Sequence, residues 1–401
     1  MRVIFLTLAY MDNIKAKGIY SDLMRKFMEE GHKIYIVTPH ERRMKKSTTL
    51  TEKDGVQYLG VKTLNIQKSN VIEKGIGTIL IEQQYKAAIR EHFEGISFDL
   101  ILYSTPPITL AGVVSYLKKK NHNAISYLLL KDIFPQNAVD VGILTKKSPL
   151  YWYFRWKEKL LYNHSDYIGC MSPANVVYFR EHNRYYPADK VEVAPNSIEL
   201  GLDKDELTVE KISIRQKYGI PKDRTIFIYG GNLGRPQGID YLIECLDSNK
   251  NREDCCFVVI GNGTEYKKLS TWYGTHNCQN VRLMKGLPKH EYDQLVKACD
   301  VGLIFLDHRF TIPNYPSRLL SYLENKLPVI CATDDNTDIG RIAEENGYGF
   351  WCESINPDDF TALVDKMLKA DIKKMGELGY EYLTQNYLVE HTYQRIVSHL
   401  G

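Results

Sequence analysis

Apolar runs of five to eight residues alternate with helical stretches along most of the chain. In the first half the runs are RVIFLTL, KIYIVTP, VQYLGV, FDLILYS, AISYLLL, YIGCMS and VEVAP; in the second they are TIFIYGG, CFVVIGNG, VRLMKG, VGLIFLD, LPVICAT and GYGFWCE. Runs that are apolar at consecutive positions belong to strands buried on both faces. Helical stretches between them, KHEYDQLVKAC and PSRLLSYLENK among them, supply the cover. The pattern predicts an α/β protein with doubly wound parallel sheets.

The alternation pauses over 195–223, a polar stretch with Pro at both ends, read as a linker and the entry to a second domain, with a short helix allowed over 212–218. Two Rossmann-like domains follow, 1–200 and 201–370. Residues 371–401 read as helices only, a tail that packs back on the first domain. Ligands of such sheets bind outside the carboxyl ends of the strands, so two halves facing each other would form a cleft. The opening MRVIFLTLAYM reads as the first strand and not as a leader, because Asp12, Asn13 and Lys15 come at once with no small-residue cleavage site. No apolar run approaches the ~18 residues of a membrane span.

Composition narrows this further. At 401 residues the chain exceeds one ordinary core. A net charge of +3 gives no nucleic-acid signature. Eight cysteines show neither CxxC nor Cys/His ligand spacing, the pattern of buried, reduced thiols.

Candidate chemistry gathers in the second half. In IYGGNLGRPQG a strand breaks into a loop with Gly231, Asn232, Gly234 and Arg235, and a helix begins near Ile239. Glycines let a backbone approach a ligand, and free N–H groups at a helix start attract anions. VVIGNGTEYKKL repeats the arrangement at Gly261, Asn262 and Gly263. Neither loop is GxGxxG or a Walker sequence, and tight βα turns need Gly for structural reasons alone, but two in succession point to a nucleotide. In TIPNYPSRLLSYLENKLPVI a helix starts near Pro316, with Ser317 and Arg318 at its head. A cation in a first helical turn costs about 0.3–1 kcal/mol, a cost that disappears when an anion lies beside it. Arg318, Ser321 and Glu324 share one face, opposite the stripe Leu319, Leu320 and Leu323. The alternative is a solvated polar face.

GNLGRPQGIDYLIECL, FVVIGNGTEYKKL, VRLMKGLPKHEYDQLVKACDVGLI and YPSRLLSYLENKLPVI follow one another in the order seen in retaining glycosyltransferases of family 4, and the chain resembles that family over nearly its whole length. FDLILYSTPPITLAG, LLLKDIFPQNAVDVGIL and VEVAPNSIEL resemble the branch that builds capsule and O-antigen chains. The resemblance implies a GT-B fold: two Rossmann-like domains with the active site between them and a C-terminal helical tail. It implies a UDP-sugar donor, a polyprenyl-diphosphate-linked saccharide acceptor, retention of configuration and no metal or other cofactor. It also exposes a departure. The family's pair of Glu, with seven residues between them, falls here on Pro313 and Ser321, and Asn232 and Gln237 replace the Arg and Lys frequent in its first glycine loop.

Leaving-group charge on a diphosphate is stabilised by fixed donors aimed at it; the candidates are the N–H groups from Gly231 to Gly234, Arg235 and Arg318. Asp132 follows a buried strand and opens a polar loop, where it would act as base, orient the acceptor, or serve as a turn Asp. Lys17 and Gly18 in the first βα loop, and Ser104 and Thr105 after another strand, are candidates for sugar or phosphate contacts. TDDNTD (333–338) invites a metal reading but is better read as a polar turn ahead of a helix, with 337–340 near the donor sugar.

SPLYWYFRWKEKLLY (148–162) starts a helix at Ser148 and mixes aromatic with basic residues. That mixture suits a lipid headgroup layer or a domain boundary, and the basic stretch ERRMKKSTTLTEK lies on the same domain. The sequence therefore reads as a metal-independent hexosyl- or N-acetylhexosaminyltransferase at the inner face of the cell membrane. The alternatives are a degenerate GT-B partner that holds a lipid-linked acceptor and a sugar-nucleotide epimerase.

Overall fold

A computed structural model describes residues 1–66, 71–201, 211–276 and 278–400. The chain forms two compact units, Met1–Glu199 with Leu388–Gly401, and Leu200–Tyr387.

In the first unit the strands are β1 (Arg2–Leu6), β2 (Lys33–Glu41), β3 (Thr49–Lys53), β4 (Val56–Thr63), β5 (Leu100–Ser104), β6 (Ile125–Leu130), β7 (Tyr167–Cys170) and β8 (Val191–Val193). Their order in the sheet is β3-β4-β2-β1-β5-β6-β7-β8. All neighbours pair in parallel except β3 with β4. The helices are α1 (Ile19–Glu29), α2 (Val71–His92), α3 (Ala111–Lys120), α4 (Gln136–Asp140), α5 (Pro149–Asn163) and α6 (Pro173–His182). β3 was read from sequence as part of a basic loop. Every side chain of β3 is exposed, so no apolar pattern marks it, and its antiparallel ladder with β4 holds it in place.

In the second unit α7 (Lys211–Lys217) leads into β9 (Thr225–Asn232), α8 (Ile239–Asn249), β10 (Cys255–Asn262), α9 (Tyr266–Thr275), β11 (Val281–Lys285), α10 (Lys289–Lys297) and β12 (Val301–Phe305). It continues with α11 (Arg318–Glu324), β13 (Val329–Thr333), α12 (Ile339–Glu345), β14 (Gly349–Glu353), α13 (Pro357–Lys369) and α14 (Ile372–Asn386). The sheet runs β11-β10-β9-β12-β13-β14, parallel throughout. Of the stretch read as a linker, 202–210 lies outside the described residues.

The residues expected as one tail divide. α14 belongs to the second unit, and α15 (Val389–Val397) belongs to the first. There Tyr393 and Ile396 join the core formed by Phe5, Phe27 and Leu102, and the Tyr393 hydroxyl meets His32 Nε2 at 2.9 Å. In both sheets the order in which strands are added reverses beside the first strand, at β1/β5 and at β9/β12. Such reversals open a crevice at the carboxyl ends of the strands.

Candidate functional site

At the second unit's reversal, β9 and β12 pair only at Val301–Phe227 and Gly302–Ile228, whereas β9 follows β10 as far as Asn232–Asn262. The strands part beyond Ile228, and α11 fills the opening. The buried Tyr322 hydroxyl accepts from the Gly230 N–H at 3.2 Å and donates between the carbonyls of Ile228 at 3.1 Å and Leu303 at 3.4 Å. Backbone groups freed by the split thus find a partner, which buried polar groups require.

One helical turn earlier, the Arg318 guanidinium lies 4.3 Å from the centre of the Tyr229 ring. Its Nη1 is enclosed and has no hydrogen-bond partner among the described residues. Gly231, exposed and with φ of 128°, lies so close that a Cβ there would sit 3.4 Å from Arg318 Nη2. Tyr229 donates its hydroxyl to the Asn232 carbonyl at 2.9 Å. Tyr292 completes the tyrosine set, facing Gly230. The sequence singled out Arg318; it gave no sign of Tyr229, Tyr292 and Tyr322, which lie in three different elements.

The first glycine loop is more self-contained than the sequence suggested. Leu233 N–H donates to the Asn262 carbonyl at 2.9 Å, and Gln237 Oε1 accepts from Gly234 N–H at 3.2 Å and Asn232 Nδ2 at 3.1 Å. Two of the expected anion donors are therefore engaged, the Gly234 N–H within the loop and the Leu233 N–H by the second loop. Arg235 is exposed, with Nε 3.8 Å from Glu265, so its charge is shared. In the second loop the glycines have a packing reason: a Cβ on Gly261 would clash with the Gly231 carbonyl, and one on Gly263 with the Leu233 backbone. Asn262 Oδ1 faces the Gly286 N–H at 3.4 Å.

Across β13 the turn at 313–316 is tied down. Asn314 N–H donates to Thr337 Oγ1 at 3.0 Å, and that hydroxyl donates to Asp334 Oδ2 at 2.9 Å. Asp334 also accepts from the N–H groups of Asn336 and Thr337, and burial pushes its carboxyl up to about 6. TDDNTD is thus a turn anchored by its own first Asp; among the described residues no group of three His, Cys, Asp or Glu is placed to hold a metal. Ser317 is exposed at the head of α11, Ser321 and Glu324 are half-buried, and Leu319, Leu320 and Leu323 are buried as the stripe predicts.

In the first unit, Gly18 N–H donates to Asp22 Oδ1 at 3.0 Å, and the same oxygen accepts from Arg25 Nη2 at 2.8 Å. The first βα loop therefore already holds an internal anion beside Gly18 and the half-buried Lys17. Ser104 is buried. Thr105 Oγ1 accepts from the N–H groups of Lys131 and Asp132 at 3.0 and 3.1 Å, clamping β5 to the end of β6. Asp132 is half-buried, and its Oδ1 accepts from Asn137 Nδ2 at 2.6 Å. Beside it stands a group missed in the sequence. Lys131 reaches the Ala194 carbonyl at 3.2 Å, and desolvation holds its amine down to about 7.

α5 divides its aromatics. Tyr151, Phe154 and Tyr162 are buried, and Trp152 and Trp156 are exposed. Arg155 pairs with Glu158, and Lys157 with Glu82 of α2 at 2.8 Å. Half of the stretch is thus packing and half is surface. No helix among the described residues is long and apolar enough to cross a membrane.

These two Rossmann-like parallel sheets make the fold that of GT-B glycosyltransferases: with the structure of Anabaena HepE in complex with UDP the TM-score is 0.70 at 14% identity, over 100% of this chain and 99% of that one. Residues 210–381 match the family Glycosyl transferases group 1, so the second unit carries a group 1 glycosyl transferase domain. The chain is 25% identical over 325 residues to a probable glycosyltransferase, WbjE, of Pseudomonas aeruginosa, covering 80% of this chain and 78% of that protein. It is 22% identical over 215 residues, 53% of this chain and 51% of the relative, to the putative colanic acid biosynthesis glycosyl transferase WcaI of Escherichia coli strain K12.

Proposed function

We propose that the protein transfers a sugar from a UDP-linked donor to a polyprenyl-diphosphate-linked saccharide during assembly of a surface polysaccharide. The observation that carries this reading is the Arg318 guanidinium, a cation on a tyrosine face beside Gly231, at the sheet reversal, with Nη1 unmatched among the described residues. A guanidinium so held is a preorganised donor to a planar or tetrahedral anion. In the transfer, the bond from the anomeric carbon to the diphosphate oxygen breaks, and the leaving UDP gains negative charge. Arg318, with Arg235 at the loop, opposes that charge. Gly231, Asn232, Gly234, Gly261, Asn262 and Gly263 border the nucleotide, with Ser317, Ser321 and Glu324 on the α11 side.

The names of the relatives support the setting: one is a probable glycosyltransferase and another a putative colanic acid glycosyl transferase, and the HepE structure carries UDP. In the first unit, Asp132 orients the acceptor hydroxyl or takes its proton, with Lys17, Gly18, Ser104 and Thr105 on the acceptor or phosphate side. Retention of configuration follows from the family resemblance.

A transfer assay tests the reaction: UDP release from a panel of UDP-sugars, with and without a lipid extract containing polyprenyl-diphosphate saccharides. Release that depends on the extract and is lost in Arg318→Ala supports transfer. A second reading, a non-catalytic holder of the lipid acceptor, draws on Pro313 and Ser321 standing where the family has its Glu pair. Under that reading no donor is turned over in any mixture.

A further inference from the structure

The basic stretch ERRMKKSTTLTEK takes no part in the site described above. It folds as the end of β2, a short turn and β3, and together with β4 and the segment after β1 it lines a cavity of about 430 Å³ in the first unit. That size lies within the ~300–1,000 Å³ of small-ligand pockets. Thr49 pairs with Gly60 of β4 and Thr51 with Tyr58, so Thr49, Thr51 and Tyr58 stand on one face of the ladder. Gly60 yields its place on that face to His40: a Cβ there would sit 2.1 Å from the imidazole. Thr38 holds the segment after β1 in position, its Oγ1 accepting from the Met11 N–H at 3.0 Å and donating to the Ala9 carbonyl at 2.9 Å.

Three features of this cavity work against the fold. β3 is an edge strand whose side chains are all exposed, so it buries nothing and leaves an open ladder edge. Lys45 has φ of 53°, a backbone region that favours glycine, and its ammonium group has no ion pair among the described residues. Tyr58 is 3% exposed, and its hydroxyl has no hydrogen-bond partner among the described residues. A buried hydroxyl left unmatched destabilises a fold. Local costs of this kind gather at functional sites.

We propose that the cavity binds a sugar unit that bears a carboxylate, a hexuronic acid, in the acceptor saccharide. The proposal rests on the saccharide-acceptor reading and adds the charge class of the sugar. The balance of groups decides between ligands. The Tyr10 hydroxyl donates to Asp12 Oδ2 at 2.5 Å and accepts from Lys46 Nζ at 2.7 Å, so those two charges offset each other. Lys45 is left as the unbalanced cation, a match for one carboxylate. The hydroxyls of Thr49, Thr51 and Tyr58, with the second oxygen of Asp12, suit the hydroxyls around a sugar ring. A phosphate dianion would meet one free ammonium group and a carboxylate, a poorer match.

Ligand-observed NMR with methyl glucuronide and methyl glucoside, on the full chain, tests the site. The glucuronide should bind about tenfold more tightly than the glucoside. Lys45→Gly should abolish that difference, and Thr51→Val should weaken both sugars severalfold. Gly suits a positive φ and Val suits a strand, so both variants should keep the wild-type urea midpoint, with UDP binding unchanged. Equal binding of the two sugars by wild type, binding of neither, or a preference that survives Lys45→Gly would overturn the proposal. So would inorganic phosphate that displaces the glucuronide at equal concentration, or a loss of sugar binding that comes only with a lowered urea midpoint. Glucuronide binding without UDP binding would instead overturn the donor reading and leave this cavity standing.

Discussion

Arg318, at the head of α11, and Asp334, just after β13, show what single residues add to the candidate site. Arg318 stood out in the sequence because a cation in a first helical turn works against the helix dipole. Its tyrosine setting did not, because Tyr229 and Tyr292 lie on other elements and meet it only after folding. Asp334 looked like one of several turn carboxylates, yet it is fully buried, with its carboxyl pushed up to about 6 by burial. Its folded pKa thus lies above the ~3.9 of an unfolded Asp. The stability it contributes is complete below that unfolded value and is lost as the pH rises through about 6. Asp334→Asn keeps an acceptor for the N–H groups of Asn336 and Thr337. Between pH 4 and pH 7 it should gain on the order of 2–3 kcal/mol relative to wild type, read by urea unfolding at both ends. A difference that does not change with pH would contradict this account of Asp334.

At the scale of elements, the split between β9 and β12 frames the candidate site, and the Tyr322 hydroxyl bridges the split. Tyr322→Phe leaves the Gly230 N–H and the Ile228 carbonyl without that partner. A loss of about 1–3 kcal/mol in urea unfolding is expected, together with weaker UDP binding; a fully stable variant would show that the hydroxyl is not needed there. The alternation of apolar runs and helices was legible, because strands buried on both faces must be apolar throughout. β3 was not, since all its side chains face solvent. The glycine loops were seen but only half understood: Gly261 and Gly263 are required where two loops cross, and the loop N–H groups largely serve Gln237 and Asn262. Backbone contacts between loops far apart in the chain leave no periodicity to read.

Over the whole molecule, the chain leaves the first unit at Glu199 and returns to it at Leu388, where the Val389 N–H meets the Ile198 carbonyl at 3.1 Å. A helical end was legible in the sequence, but its division between units was not, because α14 and α15 carry similar amphipathic patterns. Ending the chain at Tyr387 would remove Val389, Tyr393 and Ile396 from the first unit. At ~1.5–3 kcal/mol for each buried side chain, the loss is about 5–9 kcal/mol, against a domain stability of ~5–15 kcal/mol. Scanning calorimetry should show the first unit melting early while the transition of the second is kept. An unchanged melting profile would contradict the place given to α15.

The central claim is that Arg318 and Gly231 hold a nucleotide diphosphate, and calorimetric titration of UDP into wild type, Arg318→Lys and Arg318→Ala tests it most directly. Charge-assisted hydrogen bonds of this kind contribute about 1.5–3 kcal/mol, so the account predicts UDP binding weakened at least tenfold in Arg318→Ala and by less in Arg318→Lys. UDP binding of equal strength in all three proteins, or none in the wild type, would contradict it.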